Sequence, residues 1–330
     1  MQDQSGIGIL EEFRIEFLDY WRRLPNKGFF LASVVVWLAL FNWLGSSTFG
    51  YVRTTSLLAW MYNAYTANGG LAGDEGYGVL VPLVVLVLFW LKRRELMGLE
   101  LRTWWPGLVL VVFGLALHIL GYLVQQPRLS IVGMFAGIYG LTGMAWGWAW
   151  MRASFFPFFL FVFCVPLGSF TGFVTFPLRL LVTRLVELIC HFVLSIDVIR
   201  EGTILKDATG HYQYEVAAAC SGIRSLVAIV ALGVILGFFS FKKWWQRLAM
   251  VAAAFPLAVA GNLLRMLAIV IAAEVGGQSA GNYVHEGGPG GVISLLPYVP
   301  AFFGLLWLER FLRGKYEMPV ASAPMEVKEA

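Results

Sequence analysis

Stretches of mostly apolar residues, punctuated by basic clusters, are the feature that most restricts what this sequence can fold into. Eight of them stand out, at residues 29–45, 77–91, 105–124, 130–151, 154–174, 221–241, 248–273 and 291–311. A bilayer core about 30 Å thick is crossed by about 20 apolar residues in a helix. Inside lipid, only helices and closed barrels satisfy their own backbone groups. Composition points the same way. The chain is 59% hydrophobic and 13% charged, where a soluble domain carries about 25% charged residues. That is too little charge to cover a water-facing surface. The sequence therefore predicts an all-α polytopic membrane protein with about eight transmembrane helices.

Basic residues set the expected orientation, because cytoplasmic loops are enriched in Lys and Arg. Arg14, Arg22, Arg23 and Lys27 precede the first segment, and Lys92, Arg93, Arg94 and Arg102 follow the second. Arg152 follows the fourth, Lys242, Lys243 and Arg247 follow the sixth, and Arg310, Arg313 and Lys315 close the eighth. Eight spans with a cytoplasmic N-terminus place every cluster on one side. Loops 46–76, 125–129 and 274–290 and the longer segment 175–220 then fall on the other, and the C-terminus is also cytoplasmic.

Between these segments the pattern changes. Residues 9–23 mix apolar and charged positions at helical spacing and read as an amphipathic helix on the membrane surface. This gives a cytoplasmic N-terminal segment 1–28, a multi-span domain 29–311 and a disordered cytoplasmic tail 312–330. Residues 53–66 are too polar for a span and fit the interface. Segment 175–196 is amphipathic, carries Arg179, Arg184 and Glu187, and is expected at the outer interface. Residues 198–218 alternate apolar and polar positions, so an extracytoplasmic β-hairpin insert is expected over about 197–218. Its strands are Val198–Leu205 and His211–Val216, around a turn at Asp207–Gly210.

Several function classes are excluded. No basic stripe interleaved with aromatics is present, so nucleic acid is not an expected partner. Cys164, Cys190 and Cys220 form neither a C-x-x-C pair nor a disulfide framework, and His118, His191, His211 and His285 include no H-E-x-x-H pattern. No metal or cofactor is expected. His118 falls mid-segment and is expected to hydrogen-bond a neighbouring helix, Cys164, Cys190 and His191 to pack, and His211 to be solvated.

The chemistry-bearing residues cluster late in the chain. Cys220 lies in Ala219-Cys220-Ser221-Gly222-Ile223-Arg224-Ser225, where the insert gives way to the sixth segment. A helix start carries a partial positive charge and unpaired N–H groups, which favour thiolate over thiol. Small Ser221 and Gly222 would let a substrate backbone approach. Arg265 sits in Asn262-Leu263-Leu264-Arg265 within the seventh segment, sharing a helix face with Asn262. An arginine in a span costs about 2.5–3.5 kcal/mol at the helix centre and is a functional candidate by default. His285 precedes the eighth segment, and an imidazole takes and returns protons near neutral pH. Attack by cysteine on a carbonyl needs a nucleophile, a proton carrier and an oxyanion donor, and Cys220, His285 and Arg265 supply one of each.

At these residues the sequence resembles the exosortase/archaeosortase family of membrane transpeptidases. The likeness is strongest over Glu215–Leu226 (EVAAACSGIRSL), Ala260–Leu267 (AGNLLRML) and His285, with weaker echoes at Tyr77–Pro82 and Pro157–Pro166. It implies Cys220 as nucleophile, Arg265 as oxyanion or thiolate stabiliser and His285 as proton carrier. Ser221, Gly222, Arg224 and Asn262 would support these or bind substrate. It also implies exported protein substrates with a C-terminal sorting signal: a Pro-Glu-Pro-type motif, a transmembrane helix and a basic cluster. Transfer to a lipid or glycan acceptor would follow, in a bacterial cytoplasmic membrane, with the site on the extracytoplasmic face. The sequence departs from the family pattern at Ala218, where an acidic residue is common, and in the glycine-rich run after His285. A hydrolytic intramembrane protease shares the thioester step. A non-catalytic component of surface polysaccharide assembly or transport is the alternative from another class.

Overall fold

The computed structural model describes residues 9–44, 54–67, 75–167, 172–215, 223–288, 293, 295 and 298–316. The chain divides into two compact units, Met1–Gly168 and Ser169–Ala330.

The described residues of the first unit form helices joined by short loops, with no strand among them. Helix α1 (Ile9–Arg23) carries Glu11 and Glu12 in its first turn and Arg22 and Arg23 in its last, the arrangement its dipole favours. It meets α2 (Lys27–Trp43) at 93°. Phe13, Phe17 and Trp21 remain well exposed, and Arg93 ties the helix down through Glu16 at 2.6 Å. Helix α3 (Leu57–Thr66) starts at Ser56, whose hydroxyl accepts the Ala59 N–H. Its Leu57, Met61 and Tyr65 recur at four-residue spacing and are buried in the core of this unit, so its polar face does not exclude it from packing. Next come α4 (Tyr77–Leu91), the short α5 (Arg93–Met97), α6 (Gly107–Leu123), α7 (Pro127–Trp146) and α8 (Trp148–Phe159), the last running on as a 3-10 turn to Cys164.

Helices α6 and α7 pack backbone to backbone. A Cβ at Gly114 would lie 2.4 Å from the Gly133 carbonyl, and one at Gly107 2.6 Å from that of Gly140. Small residues are how helices approach in lipid, where the hydrophobic effect gives no drive to associate. Trp37 fills the notch over Gly137 and donates its indole N–H to the Met134 carbonyl at 2.9 Å. His118 reaches the Leu44 carbonyl at 2.9 Å, as expected of a buried histidine in a helix. The fourth and fifth apolar segments divide elsewhere than expected. The break falls at Gly147, with φ at 96° and no room for a side chain against the Arg102 carbonyl. The helix that follows begins at Trp148 rather than 154.

In the second unit, α9 (Gly172–Ile189) widens into a π turn over Cys190–Leu194 and leads into a three-stranded antiparallel sheet. The strands are β1 (Val198–Glu201), β2 (Ile204–Asp207) and β3 (Gln213–Glu215), in the order β1-β2-β3. The expected hairpin is thus corrected. The first reversal is a two-residue turn at Gly202-Thr203, with Glu201 opposite Ile204 and Gly202 at φ 63°. A primed turn with glycine first suits the strand twist. The anticipated turn at Asp207–Gly210 makes the second reversal, with the Asp207 carboxylate accepting the Thr209 hydroxyl and the His211 N–H. His211 is solvated, as expected, whereas His191 is exposed beside Asp197 instead of packed.

Helices α10 (Ile223–Ser240), α11 (Trp244–His285) and α12 (Tyr298–Tyr316) complete the unit. Leu226 and Ile229 of α10, Met250, Ala254 and Ala258 of α11 and Ala301 and Leu305 of α12 form one buried cluster, against which Leu178 of α9 also packs. A second cluster joins Val182, Val186 and Cys190 to Val198, Leu205, Tyr212 and Tyr214 of the sheet region and to Met266, Ile269, Val270 and Ala273 of α11. The amphipathic α9 therefore buries its apolar stripe against protein, part on the helices and part on the sheet.

Among the described residues, α7 and α11 are long and apolar enough to cross a membrane, and the bent pair α1–α2 makes a third if it counts as one span. Tyr77–Leu91, Gly107–Leu123, Trp148–Cys164 and Leu226–Ser240 are shorter apolar helices. The 42 residues of α11 are two helices joined across a kink at Gly276–Gly277. On the first of them, Met266, Ile269, Val270 and Ala273 pack against the sheet region.

Beyond Ala273 the chain turns back on itself. Gly276 and Gly277 leave helical geometry, Gly277 with φ 70° and ψ −172°, a region essentially confined to glycine. A short helical arm, residues 278–285, then runs back along the helix it came from. Residues 274–290, expected as a sparse loop, are instead largely helical. Gly277→Ala meets open space, so its cost is backbone strain alone, about 1–3 kcal/mol. Hydrogen exchange of the amides in 278–285 is expected to accelerate about tenfold or more, each 1.4 kcal/mol being a factor of ten. Unchanged exchange there would refute the strained reversal.

Candidate active site

The reversal brings Arg265 and His285, twenty residues apart in sequence, into contact. Arg265 lies immediately before Met266, the first α11 residue of the buried cluster shared with the sheet. Its Nη2 donates to the His285 backbone carbonyl at 3.1 Å. The imidazole itself stacks on the Tyr214 ring, with centroids 6.4 Å apart and planes at 26°. Asn262, one turn below Arg265, is 4% exposed. Its Oδ1 and the Arg265 Nε are both buried and have no hydrogen-bond partner among the described residues. Buried polar atoms without partners are costly and rare, and here two of them share one helix face.

The end of the arm is closed by glycine. Gly287 N–H reaches the Val284 carbonyl at 3.1 Å and Gly288 N–H the Tyr283 carbonyl at 2.8 Å, with Gly287 at φ 102°. These are the two bonds of a Schellman cap, so part of the glycine-rich run after His285 serves to stop the helix at that residue. Burial, with the Arg265 guanidinium adding to it, holds His285 below the ordinary histidine value of 6.5, and Glu286 opposes the shift. The imidazole is thus neutral at pH 7 and able to accept a proton.

Cys220, Ser221 and Gly222 lie outside the described residues, as does the Arg224 side chain; Arg224 itself is the second residue of α10. In sequence, Cys220 is five residues past Glu215 at the end of β3 and three before Ile223 at the start of α10. Cys164 and Cys190 are buried, 1% and 0% exposed, as packing residues should be. Among the described residues no group of His, Cys, Asp and Glu is arranged to hold a metal ion.

Sequence reading missed Tyr214, Gln278 and the Gly276–Gly277 reversal. The adjacent glycines were a signal for the reversal. Nothing in the spacing signals the pairing of Tyr214 with a residue seventy-one positions later.

The sequence model of the transmembrane exosortase family matches residues 70–303, most of the chain. No curated protein and no solved structure matches it.

Proposed function

Because the chain belongs to the transmembrane exosortase family, we propose that it is a cysteine-dependent membrane transpeptidase acting on exported proteins that end in a sorting signal. The observation that supports this reading is the Arg265–His285 contact on a helix long and apolar enough to cross a membrane, in the unit whose sequence includes Cys220. Cys220 as thiolate attacks the scissile carbonyl of the substrate. Arg265 stabilises the tetrahedral oxyanion through its guanidinium N–H groups. Collapse forms a thioester on Cys220 and breaks the peptide C–N bond, and His285, protonated by the thiol, gives its proton to the leaving amine. The acceptor's nucleophile then loses its proton to His285, attacks the thioester and expels the Cys220 thiolate. Ser221, Gly222, Arg224 and Asn262 shape the surroundings, and the acceptor is a lipid or glycan of the cell envelope.

Eight spans with both termini cytoplasmic fit this chemistry in a bacterial cytoplasmic membrane. The eight apolar segments of the sequence and the distribution of Lys and Arg support that count and orientation, which would put the sheet and the Arg265–His285 pair on the extracytoplasmic side.

The test uses an exported protein of the same cell that ends in a Pro-Glu-Pro-type motif, a helix and a basic cluster. Its mature C-terminus is expected at the motif, carrying the added mass of an acceptor. A free carboxylate there would instead mean hydrolysis, and an intact tail would overturn the proposal.

A further inference from the structure

The alternating face of the last strand carries two tyrosines against the two arms of the reversal in α11. Tyr212, just before β3, donates its hydroxyl to Glu274 Oε2 at 3.2 Å on the outgoing arm. Tyr214, 5% exposed, donates to the Gln278 carbonyl at 2.9 Å on the returning arm. Residues two apart on a strand point the same way, so one strand face grips both sides of Gly276–Gly277. The returning arm answers through Gln278, whose side chain accepts the Gln213 N–H at 2.8 Å and donates back to the Gln213 carbonyl at 3.4 Å. The free edge of β3 is thereby paired with the arm that ends in His285. Gln278 also donates to Asn282 Oδ1 at 2.9 Å. Gly281 permits this approach, since a Cβ there would lie 2.0 Å from the Tyr214 hydroxyl oxygen and 2.9 Å from Ala273 Cβ.

We propose that Tyr214, held by Gln278, is a positioning residue that sets His285 relative to Cys220. Its ring restrains the plane of the imidazole by stacking and occupies neither ring nitrogen. The strand that carries it is also the one that runs on, five residues later, to Cys220. One short strand thus tethers the nucleophile's segment and clamps the proton carrier's arm. Without that clamp, the described contacts that join the arm to the unit are the Gly276–Gly277 reversal and the arm's contacts on α11. The inference rests on the proposed pairing of Cys220 with His285.

Alkylation of Cys220 by iodoacetamide measures both together. The full chain is kept in membranes, the rate is followed from pH 5 to 9, and modification is resolved by residue in the mass spectrum. The rate reports the thiolate, and a shift of one pH unit in its midpoint is about tenfold at pH 7. His285→Ala is expected to slow Cys220 alkylation at pH 7 by about tenfold. Tyr214→Leu should slow it by about three- to tenfold, with the midpoint moved the same way. Tyr214→Phe keeps the stacked ring and should stay within about twofold of the parent. If Tyr214→Leu fails to accumulate, Gln278→Ala decides, because it removes the side-chain pairing of the arm with Gln213 without opening the buried cluster, and leaves only the main-chain carbonyl that accepts the Tyr214 hydroxyl. It too should move the midpoint upward. A shifted profile in His285→Ala with parental profiles in Tyr214→Leu and Gln278→Ala overturns the positioning role alone. A parental profile in His285→Ala overturns the Cys220–His285 pairing, and the positioning role with it.

Discussion

Cys220→Ala is expected to abolish removal of the sorting signal while the protein still accumulates in the membrane at parental levels. The loss should be about 10⁴-fold or more, the scale on which covalent catalysis fails when its nucleophile is deleted. Cys164→Ser and Cys190→Ser provide the contrast. Both thiols are buried, Cys164 facing the Gly78 carbonyl at 3.7 Å and Cys190 inside the cluster that joins α9, the sheet and α11. A buried thiol without access to substrate has no nucleophilic role. Substitution there acts on packing, so it should lower the amount of folded protein more than the rate per molecule. The readout is the fraction of substrate retaining its C-terminal tail, normalised to enzyme in the membrane fraction. Undiminished processing by Cys220→Ala would remove the thioester route and leave the polysaccharide-assembly alternative in its place.

How much of this was legible in the sequence depends on the range of the interaction. Tyr77–Leu91 was read to the residue, because fifteen apolar positions before Lys92 leave little else to form. The sheet was placed correctly by β-branched alternation after residue 197, since that signal is local. Its turns were not, because two turn signals lie within ten residues of each other. Gly202-Thr203 and Asp207–Gly210 each suit a reversal, and the chain uses both. The break at Gly147 depends on the Arg102 carbonyl, forty-five residues earlier. No periodicity within the segment could announce it.

The Arg265–His285 pair shows the same boundary from the functional side. Residue chemistry marked both as candidates, Arg265 because guanidinium in a span is expensive and His285 because imidazole titrates near neutrality. Their contact required a helix to reverse at Gly276–Gly277. Two adjacent glycines before a polar stretch read as a loop, and a loop would have left His285 at an unspecified distance. What settles the geometry is that Tyr212, Gln213 and Tyr214 bond Glu274 and Gln278 on opposite sides of that reversal.

That geometry makes Arg265 the second residue whose loss should be severe. The Arg265 guanidinium donates to the His285 carbonyl, yet among the described residues its Nε has no partner and the neighbouring Asn262 Oδ1 has none either. A merely structural arginine would be expected to have its Nε–H donor paired. Arg265→Gln should therefore lower the processing rate per enzyme by about 10²–10³-fold, as removal of an oxyanion donor does. The pH profile separates this from a folding defect. With Arg265 present, burial and the nearby positive charge hold His285 below 6.5, so activity that needs a neutral imidazole should persist below that pH and fall only through the depressed value. Removing the guanidinium takes away a positive charge that lowers the value and leaves Glu286, which raises it. The acid limb must then move to higher pH. Arg265→Lys keeps the charge but not the fork of donors, so it should restore the position of the acid limb while recovering little of the rate. An acid limb that stays in place in Arg265→Gln, or moves to lower pH, would show that the guanidinium does not act on His285 at all.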